Sequence, residues 1–550
     1  MSDLITAQDS GNAVQNTRFI GSEQSAQKRS TIEVREASGE RSADSSAVED
    51  LKKLGYEQEL TRARGLSHIL FTYGLAAPIA TSLVSGGPAT MIWGWILTSL
   101  LVMTLALSLA EIAAKYPTSA GAYYWVYRLA PPRYRLLLSY ITGWLTLIGV
   151  WTISLSVTFG TAQIIVAGVQ IYHPDWEPEA WKTYLIFLAV IAVTSFFCLF
   201  LNDILPTLDI LSAYWLLLVI MICLSVKAAA GRHSAAYAFS HFDTSYSGWT
   251  PGWAFFIGLF PVSLISSQAY YLITMFFVFH LASMAEEVHN PAHNIPRAIF
   301  WSVPIGTVMG VVFTLPILFT LPDIGVLLAV SSGQPLGLMF ELIMGSRGGG
   351  FGMILYSVFG VAMFCAISIS CAASRATWSF ARDRAIPFHT VFAQVNHRLS
   401  DVPINAFLLS TAVQVLLGLI YLGSSAAFNA FVGVEVMCLQ SSYALPVAIS
   451  LAGGRRAIAD SPYFLGRWGV LWNTVAVLWV LFQIVLFSMP ATLPVTPTTM
   501  NYASVVFVFF ALFSTLWYLV NGRFHYRGPP IPFDTSSALS SSEPEKANHD

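Results

Sequence analysis

What this chain is short of is charge. Asp, Glu, Lys and Arg make up 11% of its 550 residues, where a soluble chain carries about 25%. Hydrophobic residues make up 55% and the mean hydropathy is +0.62. Length alone would suggest roughly three or four soluble domains, an expectation that lapses if most residues lie in lipid. A net charge of -2 leaves no basic excess for nucleic acid. Cysteine is scarce as well. Cys198, Cys223, Cys365, Cys371 and Cys438 all fall in apolar stretches, and neither a CxxC pair nor a Cys/His cluster is present. No metal site is expected, and the thiols read as buried and free. The motifs GxxxxGKS/T, HExxH and GxSxG are missing too. Their absence speaks against an ATP-driven pump and a metalloprotease, so neither an enzyme nor a cofactor is expected. A passive channel, which needs no alternating gates, stays open on these grounds.

What is present is a series of long uncharged runs between two polar ends. Residues 1–60 are rich in Ser, Glu, Gln, Lys and Arg and lack an apolar signal-peptide core. Residues 528–550 are polar and carry Ser536-Ser537 and Ser540-Ser541-Ser542. Both read as disordered cytoplasmic tails around a membrane domain over 61–527. Lys28, Lys52 and Lys53 are either regulatory modification sites or plain solvated charge.

A spanning helix needs about 20 apolar residues. The run 65–110 is long enough for two, with a break at Ser85-Gly86-Gly87-Pro88. One span each is expected in 136–174, 183–202, 210–226, 298–321 and 351–378. The run 402–434 holds one span and the start of the next, turning near Gly423-Ser424-Ser425, and 468–522 holds two. The stretch 244–285 fits either one broken helix or two short ones. Charge decides, because cytoplasmic loops concentrate Lys and Arg. One helix gives twelve spans, leaves only Lys182, Lys227, Arg232 and Arg347 outside, and puts 24 of the 28 basic residues inside with both tails. Two helices split them evenly. The expectation is an all-α polytopic protein with twelve transmembrane helices, since only helices and closed barrels satisfy backbone groups in lipid and the runs are too long for barrel strands.

Three segments carry chemistry. In Leu70-Phe71-Thr72-Tyr73-Gly74-Leu75-Ala76-Ala77-Pro78, glycine and proline together favour a helix break at Thr72–Gly74. Unwound backbone at that depth is tolerated where it lines a cavity, though a packing glycine and a simple proline kink explain it too. Glu111 through Trp125 follows the second span. Pro117 and Gly121 set a turn, and Tyr123, Tyr124 and Trp125 suit a membrane interface. Ser374 through Pro387 ends the eighth span. Its Arg375, Arg382 and Asp383 could pair with Glu111, Glu286 or Glu287 as an inner gate, or serve as positive-inside anchors.

Taken in order, these pieces resemble the amino acid–polyamine–organocation permeases, and within them the fungal amino acid/choline (GABA and choline permease-like) branch. The resemblance rests on Ser85-Gly86-Gly87-Pro88 with Trp93-Gly94-Trp95, Glu111 through Tyr124, and Ala285-Glu286-Glu287-Val288-His289-Asn290-Pro291 through Arg297. It continues through Ser374–Pro387, Val402-Pro403, Asn405-Ala406, Leu493-Pro494-Val495-Thr496 and Met500-Asn501-Tyr502-Ala503, over about 60–530. It implies the LeuT-type fold, a 5+5 inverted repeat plus two C-terminal helices, with helices 1 and 6 broken around the substrate. It implies proton-driven uptake of a small amine or zwitterion by alternating access across the plasma membrane. It also places the helix-1 break at Thr72-Tyr73-Gly74.

The sixth helix departs from the family pattern, with Met275-Phe276-Phe277-Val278-Phe279-His280 where relatives carry small residues. Either Phe276, Phe277 and Phe279 wall a divergent pocket, or 262–279 is a gene-model error. The substrate-binding candidates are Thr72, Tyr73, Gly74, Phe279 and Ser368. Tyr73 is the leading cation–π partner, with Trp151 and Phe159 behind it. Gating and coupling candidates are Glu111, Glu286, Glu287, Arg375, Arg382 and Glu435. The last lies inside the tenth span, where a carboxylate is expensive and marks function by default. Choline, GABA, amino acids and polyamines are the candidate solutes. A solute-sensing transceptor, a nonfunctional paralogue and a vacuolar membrane remain as alternatives.

Overall fold

The computed structural model describes residues 45, 47–60, 83–201, 204, 207, 231–259, 285–328, 330, 335–358, 362–396, 401–490, 492–496 and 500–530. The first, fifth and most of the sixth expected spans lie outside these residues. Among the described residues the structure is helical, with one isolated antiparallel bridge, Asn396 to Val402.

The main helices are α1 (Gly87–Lys115), α2 (Ala122–Leu129), α3 (Arg135–Tyr172), α4 (Ala180–Phe200), α5 (Pro251–Leu259), α6 (Pro291–Phe319), α7 (Leu336–Met344), α8 (Arg347–Ser357), α9 (Met363–Arg382), α10 (Ile404–Gly418), α11 (Ser425–Ala452), α12 (Trp468–Leu486) and α13 (Ala503–Trp517). Among the described residues, eight helices are long and apolar enough to cross a membrane.

Local chemistry sets the boundaries. Gly86 and Gly87 sit at φ 116° and 66°, where a side chain would be strained. Pro88 occupies the first turn of α1, where its missing N–H costs nothing. Nothing between Ile112 and Lys115 stops that helix, so Glu111 lies inside α1 instead of following it. Ser424 starts α11 by accepting a bond from the Ala427 N–H at 3.2 Å, which puts the turn between α10 and α11 in the expected place. The expected span over 351–378 appears as α8 and α9, with residues 359–361 between them outside the described set.

At 1.5 Å per residue, the 38 residues of α3 run about 57 Å, well beyond the roughly 30 Å hydrocarbon layer. This helix is the spine, packed against α2, α8, α9 and α11. It packs tightly on α11 at Gly149, where a Cβ would stand 2.7 Å from Leu439 Cγ and 3.1 Å from the Leu439 backbone nitrogen. Beside this spine α6 lies along α1, and Trp95 Nε1 donates to the Thr307 carbonyl at 3.0 Å.

The bundle has two distinct ends. One gathers both terminal segments, 47–60 and 522–530, with Ser119, Ala285–Glu287, Asp383 and the loop after α11. We call it the tail end. The far end joins Ala89 to His241, His233 to Phe319, Leu493 to Ser247 and Trp249 to Pro490.

Candidate gate and transport site

The tail end of α9 is charged where the rest of the helix is apolar. Arg375 and Arg382 are seven residues apart, which places both on one helical face. Each finds a carboxylate on the three-residue 3-10 turn Ala285–Glu287. Arg375, 1% exposed, donates from Nε to Glu287 Oε1 at 2.8 Å. Arg382 forks both oxygens of Glu286, Nη1 to Oε2 at 3.1 Å and Nη2 to Oε1 at 2.9 Å. Bidentate charged pairs of this kind are strong and directional. Glu286 also accepts from the Ser119 hydroxyl and, at 3.4 Å, from its backbone N–H. One carboxylate thus ties the loop before α2 to the end of α9.

The faces of the Arg382 guanidinium are occupied as well. Its carbon lies 4.1 Å from the Tyr56 ring centroid and 4.3 Å from that of Trp378, within cation–π range. Next along the chain, Asp383 Oδ2 accepts from both Tyr56 Oη and Tyr123 Oη at 2.8 Å. Burial pushes the Asp383 carboxyl up to about 6, against the pull of Arg382 and the two hydroxyls. The same burial, helped by the Asp383 charge, holds the Tyr56 and Tyr123 hydroxyls well above the usual tyrosine value.

Two expectations need correction here. Tyr123, Tyr124 and Trp125 are not interface anchors. They lie in α2 and are buried, because Asp383, the Leu54 carbonyl and the Tyr116 carbonyl bond their polar atoms inside. Glu111 does not join the α9 arginines, which Glu286 and Glu287 already occupy. It pairs with Arg455 Nη2, 2.6 Å from its Oε2, and accepts from the Leu465 N–H at 3.0 Å. Ser461 bonds the Glu111 carbonyl at 2.7 Å. This second cluster fastens the loop between α11 and α12 to α1. Arg455 went unrecognised in the sequence. The usable signals were a carboxylate at the end of a span and the basic pair Arg455-Arg456 just beyond another.

Deeper in the bundle, Trp151 Nε1 donates to Thr377 Oγ1 at 3.1 Å, tying α3 to α9. Ser370 meets Ser154 at 3.3 Å, while Ser368, two residues earlier, is buried on another face of α9. Phe159 is enclosed by Phe187, Tyr421 and Phe428 with ring centroids 4.5–5.3 Å apart, so it is a packed core ring. Glu435 is wholly buried in α11 beside Ser156, and neither carboxylate oxygen has a hydrogen bond of normal geometry. Thr72, Tyr73, Gly74 and Phe279, with Phe276, Phe277 and the question over 262–279, lie outside the described residues. Among the described residues no His, Cys, Asp and Glu cluster is placed to hold a metal, and Cys198, Cys365, Cys371 and Cys438 are buried outside any disulfide.

A family model described as amino acid permease matches residues 65–511. The chain is 31% identical over 532 residues to the polyamine transporter TPO5 of Saccharomyces cerevisiae, covering 92% of this chain and 84% of that one. Over 500 residues it is 32% identical to the amino-acid permease BAT1 of Arabidopsis thaliana, covering 87% and 95%. It is 30% identical over 487 residues to the choline transporter of Saccharomyces cerevisiae, covering 87% and 81%. All three are named as permeases or transporters rather than enzymes.

Proposed function

The chain belongs to the amino acid permease family of the amino acid–polyamine–organocation superfamily, and from that premise we propose that it is a proton-coupled uptake transporter for a small amine or zwitterion, working by alternating access. It is an integral membrane protein of a transporter family. The solute candidates are amino acids, GABA, choline and polyamines. The observation that carries the mechanism is the tail-end cap. Arg375–Glu287, Arg382–Glu286 and Glu111–Arg455 are buried ion pairs on that end. At the far end the pairs Lys182–Glu179 and Arg347–Glu341 are partly or fully exposed. Among the described residues buried ion pairs seal one side alone, which fits a transporter with its inner gate shut.

Chain placement supports twelve crossings. Residue 60 lies at the tail end and Ser85 at the far end. Phe200 leads toward the tail end and His233 lies at the far end. Pro251 lies at the far end and Ala285 at the tail end. End points on opposite sides are what one crossing in each stretch, as expected from the sequence, requires, and none of the stretches contains the roughly 60 residues that three would need. With α1, α3, α4, α6, α8–α9, α10, α11, α12 and α13 the total is twelve, in keeping with the 5+5 repeat plus two helices. Both tails then share one side. The excess of basic residues on that side favours the cytoplasm, with the protein in the plasma membrane.

Within this reading, backbone freed at Thr72, Tyr73 and Gly74 holds the solute. Tyr73 and Phe279 face a cationic head, and Ser368 adds a polar contact. Glu435 is the coupling candidate, since a carboxyl wholly buried inside a span is expensive and marks function by default. The test is uptake of labelled choline, GABA, spermidine and mixed amino acids in cells stripped of their own permeases. It is run at acid and neutral external pH, with and without a protonophore. Saturable uptake that is stronger in acid and abolished by the protonophore is expected. Binding without accumulation, in a chain shown to be at the cell surface, would instead support a transceptor.

A further inference from the structure

We propose that the two terminal segments form a single clasp over the inner gate, in which the C-terminal segment holds the N-terminal one in place and so sets how readily the gate opens. This rests on reading the tail-end cap as a gate. The N-terminal segment is not laid loosely on the bundle. Leu51, Tyr56 and Leu60 are buried. The Leu54 carbonyl accepts from Tyr124 Oη at 3.2 Å, and Gln58 Nε2 donates to the Glu286 carbonyl at 2.8 Å. Tyr56 is the wedge, its face against Arg382 and its hydroxyl on Asp383. The N-terminal segment thus holds both partners of the gate pair, Arg382 through Tyr56 and the Glu286 backbone through Gln58, so opening the pair pulls against that segment.

The C-terminal segment closes over that wedge. Tyr526 is buried, its hydroxyl 2.8 Å from Ser139 Oγ and its ring 5.2 Å from Tyr140 and 6.5 Å from Phe380 of α9. Gly528, at φ 84°, turns the chain against the Tyr127 ring, where a Cβ would have no room. Pro530 then lies on Gly55, one residue before Tyr56, so close that a Cβ on Gly55 would stand 2.8 Å from the Pro530 Cβ. Gly55 itself is at φ 94°. Each segment turns on a left-handed glycine and closes on the other. The residue just before Tyr56 is thus held by the opposite end of the chain.

The test is a double-variant cycle in the full chain. A reporter cysteine, Ala376→Cys, is placed in the small cleft behind the gate, beside Ser119, Tyr123, Phe380 and Tyr443. A membrane-impermeant thiol reagent is applied from the tail side, and the labelling rate is compared with the chain lacking the reporter. Tyr526→Ala and Tyr56→Phe are each expected to raise labelling roughly threefold to tenfold by shifting the gate toward open. The double variant should exceed the larger single by no more than about twofold, because one clasp can be lost only once. Pro530→Gly, which removes the Gly55 contact and leaves Tyr526 in place, should move labelling the same way and guards against a mere folding defect. Multiplicative effects would overturn the single clasp, and so would unchanged labelling in both Tyr526→Ala and Pro530→Gly. Arg382→Gln separates the two layers. If it leaves labelling unchanged, the gate reading falls and the clasp with it. If it raises labelling while the C-terminal variants do not, the clasp alone falls.

Discussion

Arg382 holds Glu286 with both outer nitrogens while its two faces rest on Tyr56 and Trp378. Lysine supplies the charge but neither the fork nor the flat faces. We expect Arg382→Lys to lose most uptake while the protein still reaches the membrane, as measured by transport against surface abundance. Arg375 and Glu287 pose a different problem, because both are almost fully buried. Removing one partner strands a charge, at a cost of about 3–5 kcal/mol, whereas replacing both with apolar groups is often neutral. Arg375→Ala should therefore lower the unfolding temperature in detergent. Arg375→Met combined with Glu287→Leu should restore it without restoring uptake. Asp383 adds a pH dependence with a definite sign. Its carboxyl titrates near 6 in the folded protein against 3.8 ordinarily, so folding favours the protonated form. The stabilisation is complete below the ordinary value and is lost as pH rises through about 6. Thermal unfolding across that window should show the loss, and Asp383→Asn should flatten it. Glu286 and Glu287 stood out in the sequence as charge beside an apolar run. Tyr56 did not, since a lone tyrosine in a polar tail carries no periodicity.

At the scale of elements, α3 shows what patterning conveys and what it omits. Its length follows from an uninterrupted apolar run, and the structure starts and stops it within two residues of the expected 136–174. Its neighbours do not follow from that run, because a helix apolar on every side names no preferred face. Gly149 is where the choice is made, with Leu439 of α11 filling the space a side chain would need. Gly149→Ala should push α3 and α11 apart at a cost of about 1–3 kcal/mol. Calorimetry or a thermal-shift assay on the detergent-solubilised protein would read this, with the tail-end ion pairs intact. For α2 the opposite holds. Its aromatics read as interfacial from composition, and their burial depends on acceptors contributed by α9 and residue 54, both far away in the chain.

For the whole molecule, the two ends differ in charge and in what closes them, and the proposed twelve-crossing topology has a direct consequence. Gly231, beside the far-end contacts of His233, and Gly454, in the tail-end loop after α11, both have open space around them. An epitope inserted after Gly231 should be labelled on intact cells. One inserted after Gly454 should be labelled only after permeabilisation, together with tags on both termini. Labelling of both insertions on the same side would remove the topology and the gate with it.

Low charge, run length and an ordered set of short motifs are properties of the linear chain, and they already mark it as a helical membrane protein of the permease family. Glu111, Glu286, Glu287, Glu435, Arg375 and Arg382 also stood out there as charges in unusual places, whereas Arg455 did not. Which of them meet was decided only by the tertiary structure. Glu111 reached Arg455 rather than α9, and Tyr56 reached Asp383 across 327 positions. The pairing of buried charges is a matter of geometry among elements distant in sequence. In a low-dielectric interior each ion takes whichever partner packing brings to it, and neither local propensity nor hydrophobic period encodes that distance.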